Sequence, residues 1–447
     1  MIKTKRYKAS EIAEIVGGKL VGEDRIIEYI SFDSREENEV PFLFFPIKGK
    51  KYDAEEFVEQ AINNGAKIVV TKQIRVCSCS IILVEDTNEA LFKLAHFNIG
   101  NTKVIGVTGS NGKTTVKEMI YCVLSQKYRV SATKENLNNE IGVSQTLLSI
   151  IDEEYCVVEM GMRGKGEIAF LAKLANPSIC VITNAGSAHL EKLGSKKNIF
   201  YAKCEILKYT KDVAILPNER RFRKVSKNVA RCVYIGASGE LDADNKNQDS
   251  YGIKYEITVR DSDKKISAYI HSIYEHDIRN SLFAFAVGKA CNIPEKDIIQ
   301  GIFEFKNFKN RGSVIKIGEI TLIDDSYNSS YESLKSTVIG ALEISKIEKK
   351  NLYVVLGDML EIGKKSKKYH KKIGKFLRKN DIFNVISIGK YSKCIIKGFR
   401  DGIICQTIEE IIHFISKNLS KEDMVFLKAS RKMHFEKIIE GLKNNEN

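Results

Sequence analysis

The chain has 447 residues, of which 43% are hydrophobic and 29% are charged, and its formal net charge is +14. This composition excludes a largely disordered chain, and the length exceeds what one hydrophobic core usually organises. The lysines are spread along the chain without interleaved arginine and aromatic residues. The charge therefore predicts a solvated, lysine-rich surface rather than a nucleic-acid site.

The cysteines and the apolar runs restrict the cellular setting. The ten cysteines stand mostly within apolar segments, and no two pairs of them have the spacing of a zinc site. No apolar run is long enough to span a bilayer. The sequence therefore predicts a cytoplasmic protein with reduced thiols and no membrane insertion.

Residues up to 98 mix short apolar runs with amphipathic stretches. This mixture predicts a small α/β unit. The predicted helices and strands of this part are helices 55–64 and 88–98 and strands 42–45, 67–71 and 81–84.

From residue 103 onward, short and continuous apolar runs alternate with amphipathic helices. Such runs are typical of parallel strands that are buried on both faces. A hairpin at 251–270 and a helix at 278–291 follow the first series, and a second strand–helix series begins after Gly312. The predicted strands of the two series are 104–107, 156–158, 179–182, 213–216, 320–323, 353–356, 385–388 and 424–427.

These elements predict an α/β protein of three domains. We expect residues 1–98 to form a small N-terminal α/β domain and residues 99–312 to form a central phosphate-loop domain with a parallel sheet. Residues 313–447 are expected to form a C-terminal Rossmann-like α/β domain.

A glycine-rich turn between the strand at 104–107 and the helix from Thr114 has the chemistry of a phosphate-binding loop. Its glycines let backbone N–H groups approach phosphate oxygens, Lys113 can reach the terminal phosphates, and the Thr114 hydroxyl can ligate Mg²⁺. Val107 stands where the common motif has its first glycine, so the loop is a shorter variant. The predicted nucleotide-binding residues are Thr108, Gly109, Ser110, Asn111, Gly112, Lys113, Thr114 and Thr115.

Three further residues follow neighbouring strands and predict a second cation site. Glu159 ends the strand at 156–158, His189 lies just past the strand at 179–182, and Lys203 follows on a helix with Glu205. Ligands in parallel-sheet proteins bind at the carboxyl edge of the sheet, where Glu159 and His189 are expected. A carboxylate and an imidazole there are suitable Mg²⁺ ligands or neighbours of such ligands.

The sequence resembles the Mur ligases of peptidoglycan synthesis and their relatives, the folylpolyglutamate synthases. The shortened loop is similar to that of the family, and further motifs follow in the family's order over essentially the whole chain. Within the family, the motifs are most similar to those of the ligase that acts last. The other segments that carry the resemblance are 33–35, 133–142, 159–168, 183–191, 324–328, 356–363 with His370, and 428–431.

The resemblance implies ATP and Mg²⁺ as cofactors and assigns individual roles. Lys113 and Thr114 would hold the ATP phosphates and a first Mg²⁺, Glu159 and His189 would serve a second Mg²⁺, and Lys203 matches a lysine that is carbamylated in several members. Nucleotide contacts outside the loop are implied for Asn280 (adenine), Arg311 (phosphate) and Asp325 (ribose). The implied substrate-binding residues are Ser34, Arg35, Asn136, Asn139, Arg163 and Asn328.

The sequence departs from the family pattern at several positions. Cys204 replaces a glycine beside Lys203, and Ala429 replaces a glycine near the C-terminus. Asp277 stands where His-Asn is usual after His276, and residues 329–331 replace a usual Ala-Asn-Pro in the segment where the last substrate would bind.

The reaction implied by the resemblance is ATP-dependent amide formation through an acyl-phosphate. Its substrates would be UDP-N-acetylmuramoyl-tripeptide and D-alanyl-D-alanine, with the first domain binding UDP, the second ATP and the third the dipeptide while closing over ATP. We expect a monomer that binds no nucleic acid. Three alternatives remain: the preceding ligase that adds the third amino acid, a phosphate-loop protein acting on nucleic acid, and a non-catalytic nucleotide-binding module.

Overall fold

The computed structural model describes residues 1–49, 52–74, 78–186, 190–306, 310–360 and 362–445. It contains three β-sheets that follow one another along the chain, and helices pack against them. The predicted α/β fold class is confirmed. Within the described residues, no helix combines the length and the apolar composition that crossing a membrane requires.

The first sheet has the strand order β1-β3-β4-β5-β6-β2, in which β3 to β6 run parallel and the two edge strands pair antiparallel. Its elements are β1 (Ile2–Lys8), α1 (Ala9–Val16), β2 (Lys19–Val21), β3 (Ile26–Ser31), β4 (Phe42–Phe44), α2 (Val58–Asn63), β5 (Ala66–Thr71), β6 (Ser80–Leu83) and α3 (Thr87–Asn98).

The prediction for this part was incomplete. The three predicted strands are present, but β1, β2 and β3 were missed. The segment predicted as a helix at 55–64 begins with a 3-10 turn, Ala54–Phe57, before α2. Asp53 accepts a hydrogen bond from the backbone N–H of Glu55 at 3.1 Å, which caps that turn.

The central sheet has the order β15-β14-β13-β12-β11-β10-β7-β9-β8. Strands β8 to β12 and β7 run parallel, and β13, β14 and β15 extend the sheet as an antiparallel meander. Its elements are β7 (Lys103–Thr108), α4 (Lys113–Ser125), β8 (Val130–Ala132), α5 (Glu140–Leu148), β9 (Tyr155–Glu159), α6 (Glu167–Ala175), β10 (Ile179–Ile182), α7 (Leu190–Leu193), α8 (Lys196–Cys204), β11 (Val213–Pro217), α9 (Arg220–Val225), β12 (Arg231–Ile235), β13 (Leu241–Gln248), β14 (Ile253–Val259), β15 (Lys264–Ile270), α10 (Glu275–Ala290) and α11 (Glu295–Glu304).

The third sheet has the order β16-β17-β21-β18-β19-β20, in which the antiparallel edge strand β16 joins parallel strands. Its elements are β16 (Ser313–Ile317), β17 (Ile320–Asp324), α12 (Tyr331–Ile347), β18 (Asn351–Leu356), α13 (Ser366–Lys379), β19 (Asn384–Ile388), α14 (Ser392–Phe399), β20 (Ile403–Cys405), α15 (Ile408–Asn418), β21 (Asp423–Lys428) and α16 (Glu436–Asn444).

The first and central sheets share one hydrophobic core, which runs from the first sheet into one face of the central sheet. A buried polar group reinforces this junction. The Asn98 amide donates to the carbonyls of Leu147 at 2.8 Å, Leu148 at 3.2 Å and Ile150 at 2.9 Å, and its oxygen accepts from the Tyr7 hydroxyl at 2.7 Å. The third sheet has a core on each face, and one of these cores also contains Ile273 and Tyr274 from the segment between β15 and α10.

Candidate active site

The phosphate loop leads from β7 into α4 at the carboxyl edge of the central sheet. The segment that follows β10 holds the loop in place, because Asn111 N–H donates to Asn184 Oδ1 at 3.1 Å and the Thr183 hydroxyl donates to the Asn111 carbonyl at 2.6 Å. Gly112 has φ +78°, a left-handed conformation that favours glycine. A Cβ at Gly109 would lie 1.9 Å from Thr183 Oγ1, so only glycine fits there.

Lys113 is the first residue of α4, and its ammonium group donates to the Gly109 carbonyl at 3.1 Å. Burial lowers the pKa of Lys113. Arg311 lowers this pKa further, whereas the nearby Glu159 carboxylate raises it. The lysine is therefore a desolvated cation with few partners, which suits it to an anionic ligand.

Glu159 ends β9 and is 2% exposed. Its backbone N–H donates to Thr133 Oγ1 at 3.0 Å, and its Oε1 accepts from the Asn138 amide at 2.8 Å. The second carboxylate oxygen, Oε2, is buried and has no hydrogen-bond partner within the described part of the chain. An unpaired buried carboxylate oxygen is costly, and a bound cation would satisfy it.

Lys203 lies near the end of α8 and is 2% exposed. Burial, together with the charge of Lys113, holds the pKa of Lys203 well below its usual range. Glu205 begins a 3-10 helix, and its carboxylate accepts from the backbone N–H groups of Gly166 at 3.0 Å and Ala169 at 3.1 Å. Glu205 is thus occupied in holding the start of α6.

The segment around β17 and the start of α12 forms the opposite wall. The Arg311 guanidinium donates to the Thr114 hydroxyl at 3.2 Å and lies 4.1 Å from the ring centroid of Tyr327. The Ser330 hydroxyl donates to Asn111 Oδ1 at 3.2 Å. These contacts bring the third sheet against the phosphate loop.

Asp325 and Lys428 form a buried ion pair in this wall. The Lys428 ammonium also donates to the Asn328 carbonyl at 3.0 Å. The carboxylate of Asp325 therefore already has a cationic partner, unlike that of Glu159, whose Oε2 lacks a hydrogen bond.

The two walls enclose a cavity of about 980 Å³, and most of the predicted site residues line it. Thr108, Gly109 and Lys203 are not among the lining residues. Ser34 and Arg35 lie in the first sheet's part of the chain, where the Ser34 hydroxyl donates to Gln60 at 2.8 Å and Arg35 pairs with Asp33. His189 lies outside the described residues. The predicted residues that line the cavity are Ser110, Asn111, Gly112, Lys113, Thr114, Thr115, Asn136, Asn139, Glu159, Arg163, Asn280, Arg311, Asp325 and Asn328.

Sequence reasoning did not select several other residues of the site. Asn138, Lys428, Thr183 and Asn184 all stand within segments that carry the family resemblance, and this position is the sequence signal for them. The contacts by which Thr183 and Asn184 hold the loop span more than 70 residues, so the local sequence does not reveal them. Tyr274 and Asp277 also line the cavity.

The donor set suits Mg²⁺ through oxygen ligands. Within the described residues, no three His, Cys, Asp or Glu side chains cluster to hold a metal. The Glu159 carboxylate, with its unpaired Oε2, and the Thr114 hydroxyl both line the cavity beside Lys113. These hard oxygen donors fit a cation that is shared with phosphate groups.

Two family models match this chain. One, described as the Mur ligase middle domain, matches residues 107–288, and one described as Mur ligase, glutamate ligase domain, matches residues 310–431.

Curated relatives match along nearly the whole chain. The UDP-N-acetylmuramoyl-tripeptide–D-alanyl-D-alanine ligase of Bacillus subtilis (strain 168) is 34% identical, and the match covers 96% of this chain and 97% of the relative. The enzyme of that name from Escherichia coli (strain K12) is 29% identical, with 98% of each chain covered.

Solved structures agree with the sequence relatives. MurF from Acinetobacter baumannii has a TM-score of 0.90 at 27% identity, with 99% of this chain and 100% of that chain covered. MurF ligase from Thermotoga maritima in complex with ADP has a TM-score of 0.83 at 28% identity, with 93% of this chain and 97% of that chain covered. The chain therefore belongs to the Mur ligase family.

Proposed function

We propose that the chain is an ATP-dependent ligase that adds D-alanyl-D-alanine to UDP-N-acetylmuramoyl-tripeptide in the synthesis of peptidoglycan precursors. The names of the full-length relatives support this substrate pair. The observation that carries the proposal is the single cavity in which the phosphate loop, Glu159 and the third sheet's Arg311 and Asn328 meet. An amide ligase needs such a space, because nucleotide, acid and amine must be held together.

The phosphate loop would hold the ATP phosphates. Backbone N–H groups of residues 109–113 and the start of α4 supply donors and partial positive charge, and the desolvated Lys113 supplies a full charge. The Thermotoga maritima relative was solved with ADP, which supports a nucleotide in this position. Arg311, opposite the loop at Thr114, would contact phosphate, while Asn280 and Asp325 would face the nucleoside.

Thr114 and Glu159 would hold Mg²⁺, and His189 remains a predicted ligand. When bound, Mg²⁺ neutralises charge on the phosphate oxygens. The hydrogen bonds from Asn138 to Glu159 Oε1 and from the Glu159 backbone to Thr133 fix the direction of the carboxylate, so that Oε2 is left for the ligand.

Lys203 would be carbamylated in the active enzyme. Because burial and Lys113 depress the pKa of Lys203, its amine is neutral over a wider pH range and can attack carbon dioxide. The neutral amine nitrogen forms a bond to the carbon of carbon dioxide while one C–O π bond breaks, and the nitrogen loses one proton. The product is a carbamate with one negative charge. That anion would be attracted to Lys113 and could serve as a further cation ligand.

The reaction would proceed in two displacements. An oxygen of the tripeptide's terminal carboxylate attacks the γ-phosphorus of ATP, the bond from that phosphorus to the bridging oxygen breaks, and ADP leaves. The dipeptide amine then attacks the activated carbonyl carbon, the carbon–oxygen bond to phosphate breaks, and the amine loses a proton. Lys113 would stabilise negative charge on the transferred phosphoryl group, so the chain contributes mainly by positioning and by charge.

The three units would divide the substrates among them. Residues 1–98, with Ser34 and Arg35, would bind the UDP end, and residues 99–312 would bind ATP and, through Asn136, Asn139 and Arg163, the peptide. Residues 313–447 would bind the dipeptide near Asn328 and close over ATP. The expected active form is a monomer.

The test is phosphate release from ATP with the UDP-tripeptide and D-alanyl-D-alanine supplied together. We expect release only when all three substrates are present, with a product heavier by one dipeptide less water. Release with a free amino acid and the UDP-dipeptide, but not with this set, would instead assign the chain to the preceding step. A parallel electrophoretic shift with duplex DNA at low salt checks the nucleic-acid alternative, for which no shift is expected.

A further inference from the structure

A short relay of hydrogen bonds stands at the start of α10, in the wall of the cavity. The backbone N–H of Tyr274 donates to the Ser272 hydroxyl oxygen at 3.2 Å, and the Ser272 hydroxyl donates to Asp277 Oδ2 at 2.5 Å. A backbone N–H can only donate, so the Ser272 oxygen accepts in that bond, and the hydroxyl proton of Ser272 points to Asp277. Ser272 and Asp277 are each 2% exposed, which shields the relay from water.

The relay fixes the orientation of a second side chain. Asn280 Nδ2 donates to Asp277 Oδ1 at 2.8 Å. A carboxylate accepts hydrogen bonds and does not donate them, so the amide of Asn280 must turn its NH₂ group to Asp277. The carbonyl oxygen, Asn280 Oδ1, is thereby directed away from Asp277, and within the described residues it has no hydrogen-bond donor.

Asn280 Oδ1 lies beside the phosphate loop. A Cβ at Gly112 would be 2.9 Å from this oxygen, and Asn280 lines the same cavity as Lys113 and Thr114. The rings of Tyr274 and His276 stack nearby with an interplanar angle of 13° and a centroid distance of 5.3 Å, and both residues also line the cavity. Flat rings next to an oriented polar group suit a planar heterocycle that carries polar edges.

We propose that Asp277 is the positioning residue that makes this site selective for 6-aminopurine nucleotides over 6-oxopurine nucleotides. This inference rests on the proposed function, because it requires a nucleotide bound at the phosphate loop. Asp277 acts by presenting Asn280 Oδ1 as a hydrogen-bond acceptor. An adenine amino group donates to that acceptor, whereas the 6-oxo group of inosine or guanine faces it with a second acceptor and leaves both unpaired.

The variant Asp277→Asn tests this mechanism because it reverses one hydrogen bond. In the parent chain the Ser272 hydroxyl donates to Asp277 Oδ2, so an amide at this position would place its oxygen toward Ser272 and its NH₂ group toward Asn280. Asn280 would then rotate and present its own NH₂ group, a donor, to the base. The preference for ADP over IDP should therefore fall by at least about tenfold and move toward IDP.

The measurement is calorimetric binding of ADP and IDP, each with Mg²⁺, to the parent chain, to Asp277→Asn and to the control Asp249→Asn. Asp249 also accepts several hydrogen bonds, but it lies in an exposed turn and does not line the cavity. The ratio of the two affinities is measured on one protein sample, so a partly unfolded variant does not distort it. An unchanged ratio in Asp277→Asn would overturn the proposal.

The variant Asn280→Ala provides a second arm. It should lose most of the preference for ADP, and adding Asp277→Asn to it should change the ratio no further, because Asp277 acts through Asn280. A further change in the double variant would show that Asp277 reads the base by another route and would also overturn the proposal. Failure of the ligase assay with binding intact would count against the proposed function instead, since nucleotide preference is read here without turnover.

Discussion

The two walls of the cavity differ in how their buried charged side chains are paired. In the central wall, burial lowers the pKa of Lys113, and the carboxylate of Glu159 has a buried oxygen without a hydrogen bond within the described residues. Behind this wall, burial and the charge of Lys113 lower the pKa of Lys203. In the third sheet's wall, Asp325 and Lys428 are buried as a pair. Unsatisfied charge costs folding free energy, and a ligand can recover it, whereas a satisfied pair holds structure. The charges of the central wall are therefore available to a ligand, whereas the Asp325–Lys428 pair fixes the shape of the opposite wall, from which Arg311 and Asn328 face the cavity.

The largest expected effect is a loss of phosphate release when the charge of the central wall is removed at Lys113. Lys113→Ala removes the charge that would face the transferred phosphoryl group and should lower the rate of phosphate release by about a thousandfold. The matched control is Lys371→Ala, an exposed lysine of α13. A Lys113→Ala protein that releases phosphate at the parental rate would reduce the loop to a passive nucleotide-binding module.

In the third sheet's wall, the largest expected effect is on the free energy of unfolding, through the Asp325–Lys428 pair. Asp325→Asn leaves Lys428 buried without its carboxylate and should lower the free energy of unfolding by about 3 kcal/mol. Urea unfolding measures this change, with the exposed Asp261→Asn as control. Combining Asp325→Asn with Lys428→Met should recover most of the loss, and a purely additive result would contradict a pair.

Lys203→Met should raise the free energy of unfolding, whereas Asp325→Asn should lower it. The unfolding is measured in buffer free of carbon dioxide and bicarbonate, where Lys203 carries its free amine. The change then replaces a buried amine beside Lys113 with an apolar side chain of similar length, so the free energy of unfolding should rise by about 1 kcal/mol. Phosphate release should fall by about a hundredfold at the same time, because the carbamate can no longer form. The exposed Lys173→Met serves as control, and a Lys203→Met protein that is less stable than the parent would remove the contrast between the walls.

The smallest effect concerns His370 in the third unit, outside the cavity. Its Nδ1–H donates to the Ser366 carbonyl at 2.8 Å and its Nε2 accepts from the Met359 N–H at 2.9 Å, and burial lowers the pKa of His370 below the ordinary 6.5. The unfolded chain therefore binds this proton first as the pH falls, and the free energy of unfolding decreases below about pH 6.5. The free energies of unfolding from urea titrations at pH 7.5 and 5.5 should differ less in His370→Gln than in the parent, by on the order of 1 kcal/mol. An unchanged difference would mean that other groups carry the acid sensitivity.

The parts of the site that are contiguous in sequence were predictable. The loop from Gly109 to Thr114 is one turn between a strand and a helix, so its local pattern is sufficient. The pairing of Asp325 with Lys428 joins residues about a hundred positions apart, and no local pattern encodes it. Asp277 was recognised as a departure, but its contacts with Ser272 and Asn280 depend on the turn that precedes α10.

Two of the strands that the sequence does not predict, β1 and β13, share a physical cause. β1 and β13 are rich in charged and polar side chains, and most of their residues are partly or fully exposed. Hydrophobic periodicity is the main sequence signal for a strand, and it is weak in strands whose side chains are mostly exposed to solvent. Backbone pairing to β3 and to β14, rather than side-chain burial, stabilises these two strands.

The amide of Asn98 has a consequence for the modularity of the chain. Cutting before residue 99 would remove the donor that serves three carbonyls at the end of α5 and would expose the apolar side chains that the first and central sheets share. The third sheet, by contrast, shares with the central unit only the smaller apolar contact of Ile273 and Tyr274, beside polar contacts at Thr114 and Asn111. Recombination or circular permutation should therefore be tolerated better near residue 312 than near residue 98.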